Sequence, residues 1–516
     1  MPVQAISCTE GTAMDPLVIA VDSSTTATKA LVVDGAGSVV GSGRAEIGLS
    51  TPGADRYEHD PADWWRSTNS AVSEAVMGLS ADQRRRVAAL CITPQRQSFA
   101  LVDADGAAVR PGILWLDGRA SAEVAELGSE EVHALSGFQP DVTPSLYKIA
   151  WLSRHEPDAV ARAVRITGVH GYLVHALTGR WADSVATADS LGLYDMATLS
   201  FSPRLTELAG LRADQLPELV PSGSPMGEVT ADVLDAWGLP GSVMVVAGCG
   251  DGQAAGLGAG ATRPDEAYLN LGTAVVAGVH SETYRYGSVY RTDAAGLPGQ
   301  YVLEVVQNSG AYLAGWFRSE LGDPALHGAP DPGLEAAAAA VPTGCGGLVA
   351  LPYWNAVQSP YWDPIARGAY VGLSGIHGRA HLYRALLEGI SLETARNLRG
   401  LQDDTGVPLT SVRVMGGGQR SDLWRHIVAD ATGLPLTSCD VDEVSAMGAA
   451  AQAIAYVTGE PIADTARRLA KLGAVTEPDE TLHDVYEELG AIQVDVYTAL
   501  SPTFAAQHAF AARHPL

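Results

Sequence analysis

Two kinds of apolar pattern alternate along the chain: short unbroken runs that end in polar turns, and longer stretches with apolar residues at helical spacing. LVIAVD (17–22) is a buried-strand candidate. The turn SSTTATK follows, then ALVVD (30–34), Gly-Ala-Gly and SVVGSG, a series that reads as a hairpin meander. DPADWWRSTNSAVSEAV (60–76) has helical spacing, and Asp60 before Pro61 is a start signal. RRVAALCIT (85–93) reads as a strand entering the polar turn PQRQS. SAEVAELG, SLYKIAWLSRH and HGYLVHALTG read as helices.

The middle of the chain repeats the beginning. AYLNLGT (267–273) is a strand entering a Gly-Thr turn, and AVVAGV (274–279) is a strand leaving it. Gly, Pro and charge cluster at 258–266, as expected of a linker. The pattern therefore predicts two related halves, residues 14–260 and 261–516. In the second half, 411–433 reads as strand, triple-glycine turn and amphipathic helix, and 443–459 as a helix of small residues. EAAAAA (335–340) is a helical alanine run.

Composition narrows the class. The 516 residues are 47% hydrophobic and 18% charged, enough to fill substantial cores. A net charge of −26 disfavours non-specific binding to nucleic acid or anionic membranes. No apolar run is long enough to span a bilayer. The five cysteines are scattered without a CxxC pair, which argues against a disulfide framework or zinc site and fits a cytoplasmic protein. Residues 1–13 are small and polar and read as a disordered extension, which makes Met14 an alternative start.

Four turns have compositions suited to ligand chemistry. DSSTTATK (22–29) offers backbone N–H groups, hydroxyls and a lysine after a strand, which suits phosphate oxygens, and equally suits a plain polar hairpin. Asp22 at the strand end suits magnesium held through water. LGTA (271–274) is a second such turn, unremarkable by itself. MGGGQRSD (415–422) places three glycines between strand and helix, where a ligand could approach the backbone and the helix N-terminus favours anions. GCGDGQAAG (248–256) isolates one acid, Asp251, among small residues before a helix. It reads either as a helix cap or as a functional carboxylate.

Together these parts resemble the FGGY carbohydrate kinases, in the xylulokinase-like branch. The most specific match is GAYVGLSGIHGRAHLYRALLE (368–388), which is similar to that family's second signature. Ser145, Lys148, Ile149, Trp151 and Leu152 fit its first signature, and Thr143 departs from it. The resemblance implies an α/β fold of two ribonuclease-H-like domains, of the actin, hexokinase and Hsp70 type, flanking a cleft. It implies ATP and Mg2+ as cofactors and a sugar or polyol as acceptor, and it leaves a homodimer open. By resemblance Asp251 is the catalytic base, kept ionised by a cap-like position at the helix start. Asp22, Ser23, Ser24, Thr25, Thr26 and Lys29 match the first phosphate loop, Gly272 and Thr273 the second, and Gly310, Gly416, Gly417 and Ser421 the nucleotide contacts. Gln95, Arg96, Gln97, Trp115, Asp117 and Gln253 are the expected sugar contacts, with Asp117 and Arg119 open to a second role as a loop brace.

The substrate markers are mixed. TPQRQSF (93–99) shares Gln95 with the family's sugar turns, and Arg96 resembles the glycerol-kinase version. Gln97 matches neither version. Thr143 replaces a tyrosine of glycerol kinases, and Gly252 replaces an asparagine of xylulokinases. The resulting expectation is a ketopentose kinase, with another polyol or ketose, or a regulatory protein without turnover, as alternatives.

Overall fold

A computed structural model of the protein describes residues 16–514; the expected extension 1–13 and the Met14 start lie outside the described residues. The first half is built on a six-stranded sheet. Its strands are β1 (Leu17–Ser23), β2 (Ala27–Asp34), β3 (Val39–Glu46), β4 (Val87–Pro94), β5 (Pro225–Glu228) and β6 (Met244–Val246), in the order β5-β6-β4-β1-β2-β3. β1, β2 and β3 form an antiparallel meander, while β4 and β6 run parallel to β1. The unbroken apolar pattern of β1 has a direct cause. Leu17, Ile19 and Val21 face the core under helix α1 (Pro61–Met77), and Val18 and Ala20 face the core between the two halves. A strand buried on both sides shows no alternation.

The second half repeats this topology. β7 (Glu266–Leu271), β8 (Val275–Ser281), β9 (Arg291–Ala294), β10 (Tyr301–Gln307), β11 (Ser411–Met415), β12 (Leu436–Cys439) and β13 (Leu472–Thr476) lie in the order β9-β10-β8-β7-β11-β12-β13. β7, β8 and β10 form the meander, and β11 and β12 run parallel to β7. The turn 22–27 and the turn 271–275 are thus equivalent, as are the exits of β4 and β11.

Two helices of small residues join the halves. α2 (Asp251–Gly258) follows β6, and α3 (Val444–Thr458) follows β12. They cross with backbone almost in contact: a Cβ on Gly258 would strike the Val444 carbonyl, and one on Gly448 the Ala254 carbonyl. Only glycine allows that approach. Around this crossing, one core holds Val18 and Ala20 of the first sheet and Tyr268 and Val302 of the second.

The expected strand at 85–93 begins only at Val87. Residues Ala81–Arg86 form a helical turn instead, because Ser80 and Gln83 complete a reciprocal capping box.

Candidate functional site

The strand order decides where the loops converge. The exits of β1, β4 and β6 lie at one edge of the first sheet, where parallel strands end and ligand crevices form. The 22–29 turn, the 93–98 turn and the start of α2 meet there. Gln95 cross-braces the first two. Its N–H donates to Ser23 O at 2.8 Å, its Nε2 donates to Ser24 O at 3.3 Å, and its Oε1 accepts from Thr25 at 3.2 Å and Ser98 at 3.1 Å. Trp115 Nε1 donates to Thr25 Oγ1 at 3.0 Å, and the residue stays 37% exposed beside this turn. Lys148 holds the Trp115 segment from below. Its buried Nζ donates to Thr143 O at 2.7 Å and Leu114 O at 3.1 Å, and burial pushes its pKa down to about 7.

Three residues do not occupy the places expected of them. Asp117 makes no open contact: it is fully buried and grips the Arg119 guanidinium at 2.7 Å through both oxygens, while Oδ2 also accepts from Tyr57 N–H at 2.8 Å. Both of its oxygens are engaged in bracing the loop through Arg119. Lys29 is paired with Glu443 at 2.6 and 2.8 Å, so its ammonium meets phosphate only if that pair rearranges. Asp251 is the first helical residue of α2, with Gly250 at the cap, and its Oδ1 accepts from the adjacent Gly252 N–H at 3.0 Å. Gly250, not Asp251, therefore holds the cap position. Burial raises the pKa of Asp251, and the charge of Glu304 raises it further against the offsetting effects of Arg96 and Arg291.

Two sets of charged groups act on Asp251. The first is Asp22, whose Oδ1 is buried without a partner. Burial, with the charge of Asp251 next, pushes Asp22 up to about 7. The second is an ion network that crosses between the halves. Arg96 donates to Asp189 Oδ2 at 2.9 Å and faces Asp293 Oδ1 at 2.5 Å. Arg291 donates through Nε to Glu304 Oε1 at 2.8 Å and through Nη1 to Gln97 Oε1 at 3.4 Å. Asp189 Oδ2 also accepts from Ala294 N–H at 2.9 Å. Several buried polar atoms face this region without partners: Arg96 Nε, Gln97 Nε2, Asp189 Oδ1, Asp293 Oδ2 and Gln253 Oε1. Unpaired buried donors and acceptors are costly, which marks them as places for a ligand. Gln97 adds a left-handed backbone at φ 57°, uncommon for a side-chain-bearing residue and a recurrent feature of functional turns.

The glycines flanking Asp251 leave room for protein groups. A Cβ on Gly250 would collide with the Arg96 side chain, and one on Gly252 with the Glu304 carboxylate. Asp189, Arg291, Asp293 and Glu304 were not singled out by sequence reasoning. Glu304 had a usable signal, a charge inside the apolar run YVLEVVQ, since such a run is buried and a buried charge needs a reason. The other three sit in polar stretches with no comparable signal.

The second sheet carries the remaining turns. Gly272 O accepts from Ala311 N–H at 2.7 Å, and Thr273 O accepts from Gly310 N–H at 3.0 Å, so this turn is braced on the start of a helix, Ala311–Leu321. Thr273 itself is exposed, as is Thr26 in the equivalent first turn. After β11, Gly416 needs its positive φ of 84° and abuts Leu271, whereas Gly417 faces open space. Ser421 caps the helix Asp422–Thr432 by accepting from Trp424 N–H at 3.0 Å. Among the described residues no group of three or more His, Cys, Asp or Glu side chains could hold a metal ion, and no helix is long and apolar enough to cross a membrane.

Two facing sheets of one topology, with acid-bearing and hydroxyl-bearing turns between them, define an α/β class of two related domains. The model for the N-terminal domain of the FGGY family of carbohydrate kinases matches residues 17–258, and that for the C-terminal domain matches 267–456. The chain belongs to the FGGY family of carbohydrate kinases, enzymes that transfer phosphate from ATP to a sugar. It is 29% identical to a xylulose kinase of Escherichia coli over 92% of this chain and 93% of that one. It is 32% identical to a glycerol kinase of Bordetella parapertussis over 84% of this chain and 87% of that one. Among solved structures, xylulose kinase from Rhodospirillum rubrum superposes with a TM-score of 0.87 at 30% identity, covering 95% of this chain and all of that chain.

Proposed function

We propose that this kinase phosphorylates a hydroxyl of a neutral ketopentose such as xylulose, with Asp251 as the base. The observation that carries the reading is the position of Asp251, within electrostatic reach of both the unpartnered Asp22 carboxylate of the phosphate-type turn and Arg96, with the unpartnered polar atoms around it. Acceptor hydroxyls fit the second group, and ATP phosphates fit the turns 22–29 and 271–274. The two arginines of the network are already committed to Asp189, Asp293 and Glu304, which favours a neutral acceptor over an anionic one. Thr26, Thr273, Gly310, Gly416 and Gly417 would line the nucleotide, with Ser421 supporting it as a helix cap.

A buried carboxylate oxygen without a partner suits a hard divalent cation, so Asp22 would hold Mg2+ through water. That ion, when bound, neutralises charge on the ATP phosphates. Asp251 orients the acceptor hydroxyl and takes its proton. A raised pKa makes it a stronger base than a free carboxylate, while a loose transition state demands little early deprotonation. The four described cysteines are all buried and free, which supports a cytoplasmic setting.

Arg96, at the exit of β4, favours a second reading, a kinase for a shorter polyol of the glycerol type, because the glycerol-kinase relative is no more distant than the xylulose-kinase one. Coupled ADP release measured over ketopentoses, ketohexoses and polyols separates the two. Highest kcat/KM on a ketopentose supports the first reading, and highest kcat/KM on glycerol or a tetritol overturns it.

A further inference from the structure

A chain of fixed contacts runs from the second sheet to the residue that follows Asp251. A Cβ on Gly252 would collide with Glu304 Oε2, so the Glu304 carboxylate, carried on β10, fills the volume a side chain at position 252 would take. That carboxylate is held from the other side. Arg291 donates to Oε1, and the Tyr268 hydroxyl donates to Oε2 at 2.8 Å. Tyr268 is itself pinned, since a Cβ on Gly256 of α2 or on Gly278 of β8 would strike it. Glu304 and Tyr268 are both buried.

Every residue of β10 is buried, so Glu304 carries a charge into the core beside a second carboxylate, and Arg291 and the Tyr268 hydroxyl hold it there. Despite its burial, Glu304 stays ionised: Arg291, Arg96 and the Tyr268 hydrogen bond outweigh desolvation. The groups facing Asp251 are therefore Glu304 from β10, Arg291 from β9, Arg96 from the turn after β4 and Asp22 from β1.

We propose that Glu304 is a positioning residue for Asp251, supplied by the second half of the chain to the first turn of α2. Its bulk walls off the space over Gly252, and its charge disfavours orientations that turn the Asp251 carboxylate toward it. Asp251 is thereby aimed at the turn that carries Asp22, where the reading above places the phosphate. This inference rests on that reading of Asp251 as the base.

The test uses the full chain with saturating ATP and whichever neutral sugar the wild type turns over fastest. Tyr268→Phe removes only the hydroxyl that steers Glu304 and is expected to lower kcat about tenfold. Glu304→Gln is expected to lower it about a hundredfold, with the KM for ATP unchanged, and Glu304→Asp to recover part of the loss. Gly252→Ala, which displaces Glu304 from the other side, reproduces the fall in kcat. Wild-type kcat in Tyr268→Phe and Glu304→Gln overturns the proposal, as does a loss that tracks the unfolded fraction or raises the KM for ATP equally. If Asp251→Asn retains full turnover, the base assignment fails and takes this inference with it. If Asp251→Asn is inactive and the Glu304 variants behave as wild type, only the role of Glu304 fails.

Discussion

At the scale of single residues, the site is defined by which polar groups are committed and which are free. Asp117 and Arg119 satisfy each other, while Arg96 keeps a buried Nε without a partner. Arg96→Lys keeps the charge but not the geometry of a guanidinium bridging Asp189 and Asp293. It should raise the KM for the sugar more than the KM for ATP, and equal rises would remove Arg96 from the acceptor side. Arg96→Ala strands two buried carboxylates and should cost about 3–5 kcal/mol in chemical denaturation. The isolation of Asp251 among small residues was legible in GCGDGQAAG, because a carboxylate with no neighbouring partner in the chain needs one in space. Its partners were not legible. Glu304 and Arg291 lie 40 or more residues away, and only the pairing of β9 with β10 and their docking on the first half bring them near.

At the scale of elements, function depends on helices able to approach closely. The crossing of α2 and α3 tolerates no Cβ at Gly258 or Gly448. Gly448→Ala should destabilise the protein by about 1–3 kcal/mol through overpacking, whatever alanine adds in helix propensity. Unchanged denaturation midpoints would contradict the packing. The small-residue composition of 443–459 made this readable, since such a helix serves close approach. The stretch 368–388, the most specific mark of the family, ends in a buried helical segment from Tyr383 to Glu388. Its Glu388 accepts from Gly344 N–H at 3.1 Å and from Arg384 at 2.8 Å, well inside the second half. The strand at 85–93 was misread at its start because the apolar pattern extends into a segment governed by the Ser80–Gln83 cap.

At the scale of the whole molecule, the two halves were legible because each opens with an unbroken apolar strand, a hydroxyl-bearing turn and a second strand. The facing of the two sheets was implied only by family resemblance, since the composition of 443–459 points to a close approach without saying that α2 is what approaches. Global stability carries a titration signature. His280 is buried on β8, and desolvation lowers its pKa from 6.5 to about 4. The unfolded chain takes up this proton near pH 6.5 and the folded one only near 4. Its contribution is therefore complete above pH 6.5 and lost as pH falls through that window. The difference is on the order of 3 kcal/mol at pH 4. Asp22 and Asp293, both raised to about 7, act oppositely and cost stability as pH rises. Comparing His280→Phe with wild type isolates the histidine: the variant should lose less stability between pH 6.5 and 4, and parallel curves would contradict the assignment.

The central claim is that Asp251 joins an acceptor site to a phosphate site. ADP release on the preferred sugar, measured beside calorimetric ATP binding for wild type and Asp251→Asn, tests it most directly. The account predicts that the variant binds ATP with near wild-type affinity and loses at least about a thousandfold in kcat. Wild-type turnover in Asp251→Asn, or loss of ATP binding together with turnover, would contradict it.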